Sequence, residues 1–211
     1  MEMLTEGLQI YLEQHCEPEP ELLRYISRET HLKVPMARML SGHYQGRVLS
    51  FLSKIQSPKR ILEIGTFTGY ASICLAEGLS HDGILHTIDV NEELEERVRD
   101  YFSKSPFESK IKYQIGNAVD IVPTLTDVFD LVFIDADKKN NGTYYDMIFD
   151  KVRPGGLIIV DNVLWQGKIT SGAQDKDTQN ISNFNEKVIN DQRVEKLILP
   201  VRDGLLIIRK L

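Results

Sequence analysis

RILEIGTFTGYASICLAEGL, residues 60–79, runs from a short apolar segment through a loop bracketed by Gly65 and Gly69 into a second apolar segment at helical spacing. Gly65 lets the chain turn tightly and lets another group approach where a Cβ would clash. The pattern then recurs. ILHTIDV (84–90), IKYQIGN (111–117), FDLVFID (129–135) and LIIVDNV (157–163) are short apolar runs, and helix-like segments separate them. Such strands alternating with helices predict a parallel sheet covered on both faces. Ligands of a sheet of this kind gather outside the carboxyl ends of its strands. Here those ends carry Asp89, Asp135 and the pair Asp161-Asn162.

Upstream, residues 1–57 read as helices. MLTEGLQIYLEQH (3–15) has apolar residues at helical spacing, and PEPELLRYISRETH (18–31) opens with the prolines and acids of a helix start. A third helix, HYQGRVLSFLSKI (43–55), must stop at Ser57-Pro58. Downstream, VEKLILPV (194–201) and GLLIIRKL (204–211) are joined by Arg202-Asp203, too few residues for a crossover. They predict an antiparallel hairpin. The layout is one domain over 1–211, with a helical layer at 1–57 and an α/β core at 58–211. Its sheet has seven strands, mostly parallel, flanked by helices.

A net charge of -6 argues against a strongly basic nucleic-acid binder, although a small basic patch inside an acidic total leaves room for a local RNA contact. No apolar run approaches the roughly 20 residues that cross a bilayer, and the N-terminus lacks the basic and apolar regions of a signal peptide. Cys16 and Cys74 belong to no CxxC pair, so reduced thiols in a cytoplasmic protein are the expectation. The five histidines show no metal-ligand spacing.

Asp135, Asp161 and Asn162 supply three hard oxygen donors of the kind that Mg²⁺ or Ca²⁺ takes, with Lys138 three residues past the first. Asp161-Asn162 alone also suits a strand-ending turn, and Lys138 alone a solvated helix start. The ExGxxxG spacing at 63–69 is not the GxGxxG of nicotinamide and flavin binders. Asp89, at the end of the next strand, suits the two hydroxyls of an adenosine ribose. Glu63 is a carboxylate within an apolar strand, costly unless paired, and a cationic amino group on a ligand is a natural partner.

On ILEIGTFTGYA, HTIDV, GNAVDIVPTL, FIDADK, RPGGLIIVDNVLWQG and LPVRDGLLIIRK, the chain resembles the cation-dependent O-methyltransferases of the catechol and caffeoyl-CoA type, from about Val34 to the C-terminus. The resemblance implies a Rossmann-like class I methyltransferase fold and S-adenosylmethionine as methyl donor. It implies donor contacts at Met39, Ser41, Glu63, Gly65, Thr66, Asp89, Ala118 and Asp137, with Asp135 beside them. Asp135, Asp161 and Asn162 become ligands of a divalent cation, Mg²⁺ foremost, with Ca²⁺ or Mn²⁺ as other occupants. Lys138 is the candidate general base; its pKa is expected to fall beside that cation, and Asp137 is a candidate to orient it. Three departures stand out: Ala71 where relatives often have serine, Asn141 where many have an aromatic residue, and Arg202 where they usually have glycine.

The implied acceptor is a small phenolic with vicinal hydroxyls. Catechol, caffeic acid, a coenzyme A thioester and a flavonoid all stay open. The rival within the class is hydroxylated uridine in tRNA, as in some bacterial relatives, against which the acidic total and the lack of a Lys/Arg stripe weigh. The loop VLWQGKITSGAQDKDTQN (163–180) reads as polar and mobile, with Trp165 either walling a flat ring or packing. Arg202 either adds a cation near the acceptor entrance or caps the hairpin. Apolar Leu4, Leu8, Ile10, Tyr11 and Leu12 predict a homodimer through the N-terminal helices, with packing back on the same subunit as the alternative.

Overall fold

The computed structural model describes residues 5–172 and 175–211. Three helices come first: α1 (Glu6–Gln14), α2 (Glu21–Lys33) and α3 (Gly42–Gln56). Thr5 caps α1 by accepting from the Leu8 N–H, and α3 ends at Ser57 in a left-handed turn ahead of Pro58. Leu4, one of the apolar positions behind the dimer expectation, lies outside the described residues.

The α/β core follows as β1 (Arg60–Ile64), α4 (Tyr70–Ala76), β2 (Ile84–Asp89), α5 (Glu95–Ser103), β3 (Ile111–Ile115), α6 (Ala118–Ile121), β4 (Phe129–Ile134), α7 (Asn141–Phe149) and β5 (Val152–Asp161). Then come α8 (Lys176–Ile189), β6 (Val194–Leu199) and β7 (Leu205–Lys210). The sheet order is β3-β2-β1-β4-β5-β7-β6. β1 to β5 pair in parallel, and β7 lies antiparallel between β5 and β6. This is the predicted seven-stranded, mostly parallel sheet with a terminal hairpin.

Alternate strand residues serve opposite layers, as a period of two requires. Ile61, Leu131, Phe133 and Ile159 share a core with α2 to α5. Leu62, Ile64, Val132, Ile134 and Val160 share one with α7 and α8. α3 closes tightly on α4 at Gly46, where a Cβ would stand 2.7 Å from the Tyr70 ring and 2.9 Å from Cys74 Sγ. No described helix is long and apolar enough to cross a membrane.

Three local readings differ. The segment expected as a loop through residue 180 passes into α8 at Lys176, with the Asp175 side chain accepting from the Thr178 N–H; Ala173 and Gln174 lie outside the described residues. α8 buries Thr178, Ile181, Phe184 and Val188, one stripe at helical spacing. The helix expected over AVDIVPTL is four residues of α-helix followed by a 3₁₀ turn containing Pro123. β5 begins five residues before LIIVDNV, and its register against β4 shifts between Phe129 and Leu131.

The register positions everything that follows. Ile64 pairs with Ile88 on one side and Ile134 on the other, and Ile134 pairs with Val160. The next residue on each strand therefore falls in one rank across the sheet: Asp89, Gly65, Asp135, Asp161. β1 lies between β2 and β4, so the chain winds outward from it in both directions, which opens a crevice at these ends.

Candidate active site

Asp135 and Asp161 stand side by side in the rank, and each is held differently. Lys138 Nζ, half-buried in the turn after β4, donates to Asp135 Oδ1 at 2.8 Å. Asp161 is buried; its Oδ2 accepts from Gln45 Nε2 at 2.7 Å and its Oδ1 from the Asn162 N–H at 2.6 Å. Asn162 sits at φ 62, a left-handed conformation that asparagine tolerates better than most residues. Burial and then the neighbouring Asp135 charge push the Asp161 carboxyl above the usual range, while Lys138 and Gln45 pull it back.

Burial lowers the Lys138 pKa, but Asp135 and Asp161 outweigh it and hold the ammonium above the ordinary lysine range. This is opposite in direction to the expectation, which included the charge of a cation. Asp137 does not orient Lys138. Its oxygens accept from Tyr144 Oη at 2.5 Å and Asn140 Nδ2 at 2.6 Å, and the hydrogen bond of the lysine goes to Asp135 instead.

The chemistry of this donor set fits a hard divalent cation. Two carboxylates share a mostly buried mouth with one ammonium bonded to the first, and an amide side chain follows the second in the chain. Among the described residues, no three His, Cys, Asp or Glu side chains cluster as a metal site. The set is two acids and an amide.

At the other end of the rank, Asp89 accepts from the Phe67 N–H at 2.7 Å and the Asn91 N–H at 2.9 Å. Each oxygen keeps a lone pair for a further donor. Gly65 is required between Asp89 and Asp135: its φ is +104, and a Cβ would stand 2.1 Å from the Asp135 carbonyl oxygen. Asp89, Gly65, Asp135, Asp137, Lys138, Asp161 and Asn162 line one cleft of about 1320 Å³, joined by Ala118 and by Met39 and Ser41 from the segment between α2 and α3.

Of two further expected donor contacts, Glu63 lies behind this surface, and Thr66 lines a small adjoining pocket with Met39, Ser41 and Gly65. Glu63 is fully buried, and its carboxyl accepts from Ser72 Oγ on α4 and, at 2.5 Å, from Thr87 Oγ1 on β2; its Oε1 has no partner. Burial drives its pKa up to about 8. Thr66 is buried, and its hydroxyl meets that of Thr87 at 2.5 Å. Ala71 leaves no hydroxyl at its position, and Ser72 points at Glu63.

The outer mouth is walled by Trp165, Gln166, Arg202 and Asp203. Trp165, Gln166 and Gly167 are all left-handed, at φ 47, 54 and 77. Arg202 puts its cation at this mouth, one of the two expectations for it, but the partners that hold it lie outside its own hairpin. Its guanidinium crosses to the segment ahead of α3, donating to the carbonyls of Leu40 and Ser41 at 2.5 Å and of Arg38 at 3.1 Å. Asp203 holds the opposite wall: it accepts from the Gln166 N–H through its side chain and from the Leu164 N–H through its carbonyl at 2.9 Å. Asn141 is buried with neither amide atom partnered. Nothing in the structure explains why it replaces an aromatic residue.

Sequence reasoning missed Gln45 and the reach of Arg202. The signal for Gln45 was a polar residue on the buried stripe of α3, one turn before Leu49. The arrangement can grip a polar, hydroxyl-bearing ligand at Asp89 and place a second ligand between an acidic cation site and a lysine.

A family model described as O-methyltransferase matches residues 13–211. A caffeoyl-CoA O-methyltransferase of Petroselinum crispum is 32% identical over 217 aligned residues, spanning 96% of this chain and 90% of that protein. Among solved structures, a methyltransferase of Podospora anserina bound to S-adenosylhomocysteine superposes with a TM-score of 0.90 at 28% identity, covering 98% of this chain and 94% of that one. The O-methyltransferase TomG of Streptomyces achromogenes, involved in tomaymycin synthesis and solved with S-adenosylmethionine, gives 0.88 at 28% identity, covering 98% and 99%.

Proposed function

The chain belongs to the O-methyltransferase family, and on that premise we propose that it moves a methyl group from S-adenosylmethionine to one hydroxyl of a small phenolic with vicinal hydroxyls. The observation that carries this reading is the single rank of Asp89, Gly65, Asp135 and Asp161 at the carboxyl ends of four adjacent strands, opening on one cleft. Asp89 has lone pairs free for ribose hydroxyls, and Gly65 clears the space beside it. The curated relative reported above acts, by its name, on caffeoyl-CoA, which favours a phenolic over the tRNA acceptor.

Asp135, Asp161 and Asn162 would hold the divalent cation, Mg²⁺ foremost. When bound, its charge would lower the pKa of an acceptor hydroxyl and offset the pull of the two carboxylates on the Lys138 proton. As the neutral amine, its own proton first given up to water, Lys138 would take the hydroxyl proton. The acceptor oxygen bonds to the methyl carbon as the carbon–sulfur bond breaks, and the electron pair leaves on sulfur. Residues 34–41, with Trp165 and Gln166, wall the cleft and limit water around the reacting atoms.

The same reading includes a cytoplasmic homodimer. Exposed Leu8, Ile10 and Tyr11 on α1 support the dimer, and free Cys16 and Cys74 fit a reducing compartment. Light scattering on the purified chain checks the mass. The test of function is methyl transfer to 3,4-dihydroxybenzoic or caffeic acid with Mg²⁺ and with EDTA. Turnover only with Mg²⁺ is expected; equal turnover in EDTA would remove the cation from the reading.

A further inference from the structure

α3 buries a side chain that packing alone does not explain. Gln45 is 1% exposed, in the first turn of that helix, and lines the floor of the cleft. Leucine or methionine would fill the position without polar atoms. Instead the amide nitrogen donates to Asp161 Oδ2 at 2.7 Å, and Oε1 is left buried without a partner. An ionised carboxylate only accepts, so the nitrogen must face Asp161, and the unsatisfied oxygen is the cost of that orientation.

Asp161 depends on this contact for its pose. Its other oxygen is held by the Asn162 N–H at 2.6 Å, so the two donors together stop the carboxylate rotating and leave a lone pair on each oxygen. Without Gln45 the carboxylate keeps one hydrogen bond and regains freedom about its terminal torsion. Lys138 donates to Asp135 Oδ1 at 2.8 Å and acts on Asp161 through its charge, whereas Gln45 holds an Asp161 oxygen by a hydrogen bond.

From this we infer that Gln45 is a positioning residue of the cation site, one that presets Asp161 for metal at the expense of a well-satisfied core. The inference rests on the reading of Asp135, Asp161 and Asn162 as cation ligands. Partners that orient a ligating side chain commonly change metal affinity about 10- to 100-fold when removed. It also assigns the first turn of α3 a double duty. The residues just before it carry the segment over the expected donor pocket, and Gln45 reaches the cation end.

The test is Mn²⁺ binding, by calorimetry and by loss of the free-ion paramagnetic resonance signal, on wild type, Gln45→Met and Ser53→Ala. Ser53 is also buried on α3, but it donates to the Leu75 carbonyl at 2.7 Å and lies outside the cleft. The expected result is Mn²⁺ affinity about 10- to 100-fold weaker in Gln45→Met, with a metal-free melting temperature no lower than wild type and donor affinity unchanged. Ser53→Ala should melt earlier and bind Mn²⁺ normally. Unaltered Mn²⁺ affinity in Gln45→Met overturns the assignment. So does a loss that appears only together with a lower melting temperature and weaker donor binding. Absence of Mn²⁺ binding in wild type would overturn the cation site itself.

Discussion

Replacing Arg202 by alanine and by glycine separates two effects that its structure superimposes. The side chain donates three hydrogen bonds to backbone carbonyls at 38, 40 and 41. A hydrogen bond involving a charged group is worth about 1.5–3 kcal/mol when desolvated. Arg202 is exposed, and water can satisfy the vacated carbonyls, so about 2 kcal/mol for all three together is a fair ceiling. The backbone opposes this gain. Arg202 has φ 48, and a residue with a Cβ is strained there by about 1 kcal/mol relative to glycine. Arg202→Ala should therefore lose about 2 kcal/mol, and Arg202→Gly about half of that, because relief of strain offsets part of the lost clamp. At about 2–4 °C per kcal/mol for a chain of this size, the two melting temperatures should separate by a few degrees. Hydrogen exchange adds a local readout: the Met39 and Leu40 amides, bonded to the carbonyls of Met36 and Ala37, should lose protection in both variants. An alanine variant as stable as the glycine variant would refute the strain reasoning. Unchanged exchange at 36–41 would refute the clamp.

Lys138→Met should lower kcat by about 10²–10⁴-fold, the range of general-base catalysis, with donor affinity by calorimetry close to wild type; a kcat within a few-fold of wild type removes Lys138 as base. Asp89→Ala should weaken donor binding at least about 10-fold, since each hydrogen bond to a charged group is worth about 1.5–3 kcal/mol, while Mn²⁺ binding persists; equal donor affinity sinks the ribose assignment. Burial holds the Glu63 carboxyl up to about 8 against an ordinary 4.5. The folded chain thus keeps a proton that the unfolded chain releases, and this contribution is complete below about pH 4.5 and drains away as pH rises towards 8. Glu63→Gln should flatten that decline in denaturation midpoint, and a profile parallel to wild type would count against the protonated carboxyl.

The sheet was legible because β1, β2 and β4 are short, mostly apolar runs and an acid or glycine follows the last apolar residue of each. That made the rank of Asp89, Asp135 and Asp161 readable by counting. α8 was not legible. Only Ile181, Phe184, Val188 and Ile189 of its fourteen residues are apolar, and Thr178 fills a buried position by bonding to its own cap. Glu63 was readable as costly, but its partners were assigned to a ligand when two hydroxyls, on β2 and α4, supply them. Gln45 and Arg202 act across 116 and more than 160 residues of chain. Neither periodicity nor spacing carries information over such separations, whereas Lys138 and Asp135, three apart, could be paired from sequence.

The rank also limits how a chain like this can change length. Deleting one residue within β4 would carry Ala136 to the level of Asp135 and turn the acid towards the opposite layer, because side chains alternate along a strand. The same holds for β1, β2 and β5. Insertions and deletions are then tolerable at the amino-terminal edge of the sheet, in the connections before each strand, and on the loops that wall the mouth. Evolutionary tinkering, or an engineer's, can reshape the acceptor side by lengthening a loop. The methyl-donor and cation determinants are indexed to one another by register and must be inherited as a set.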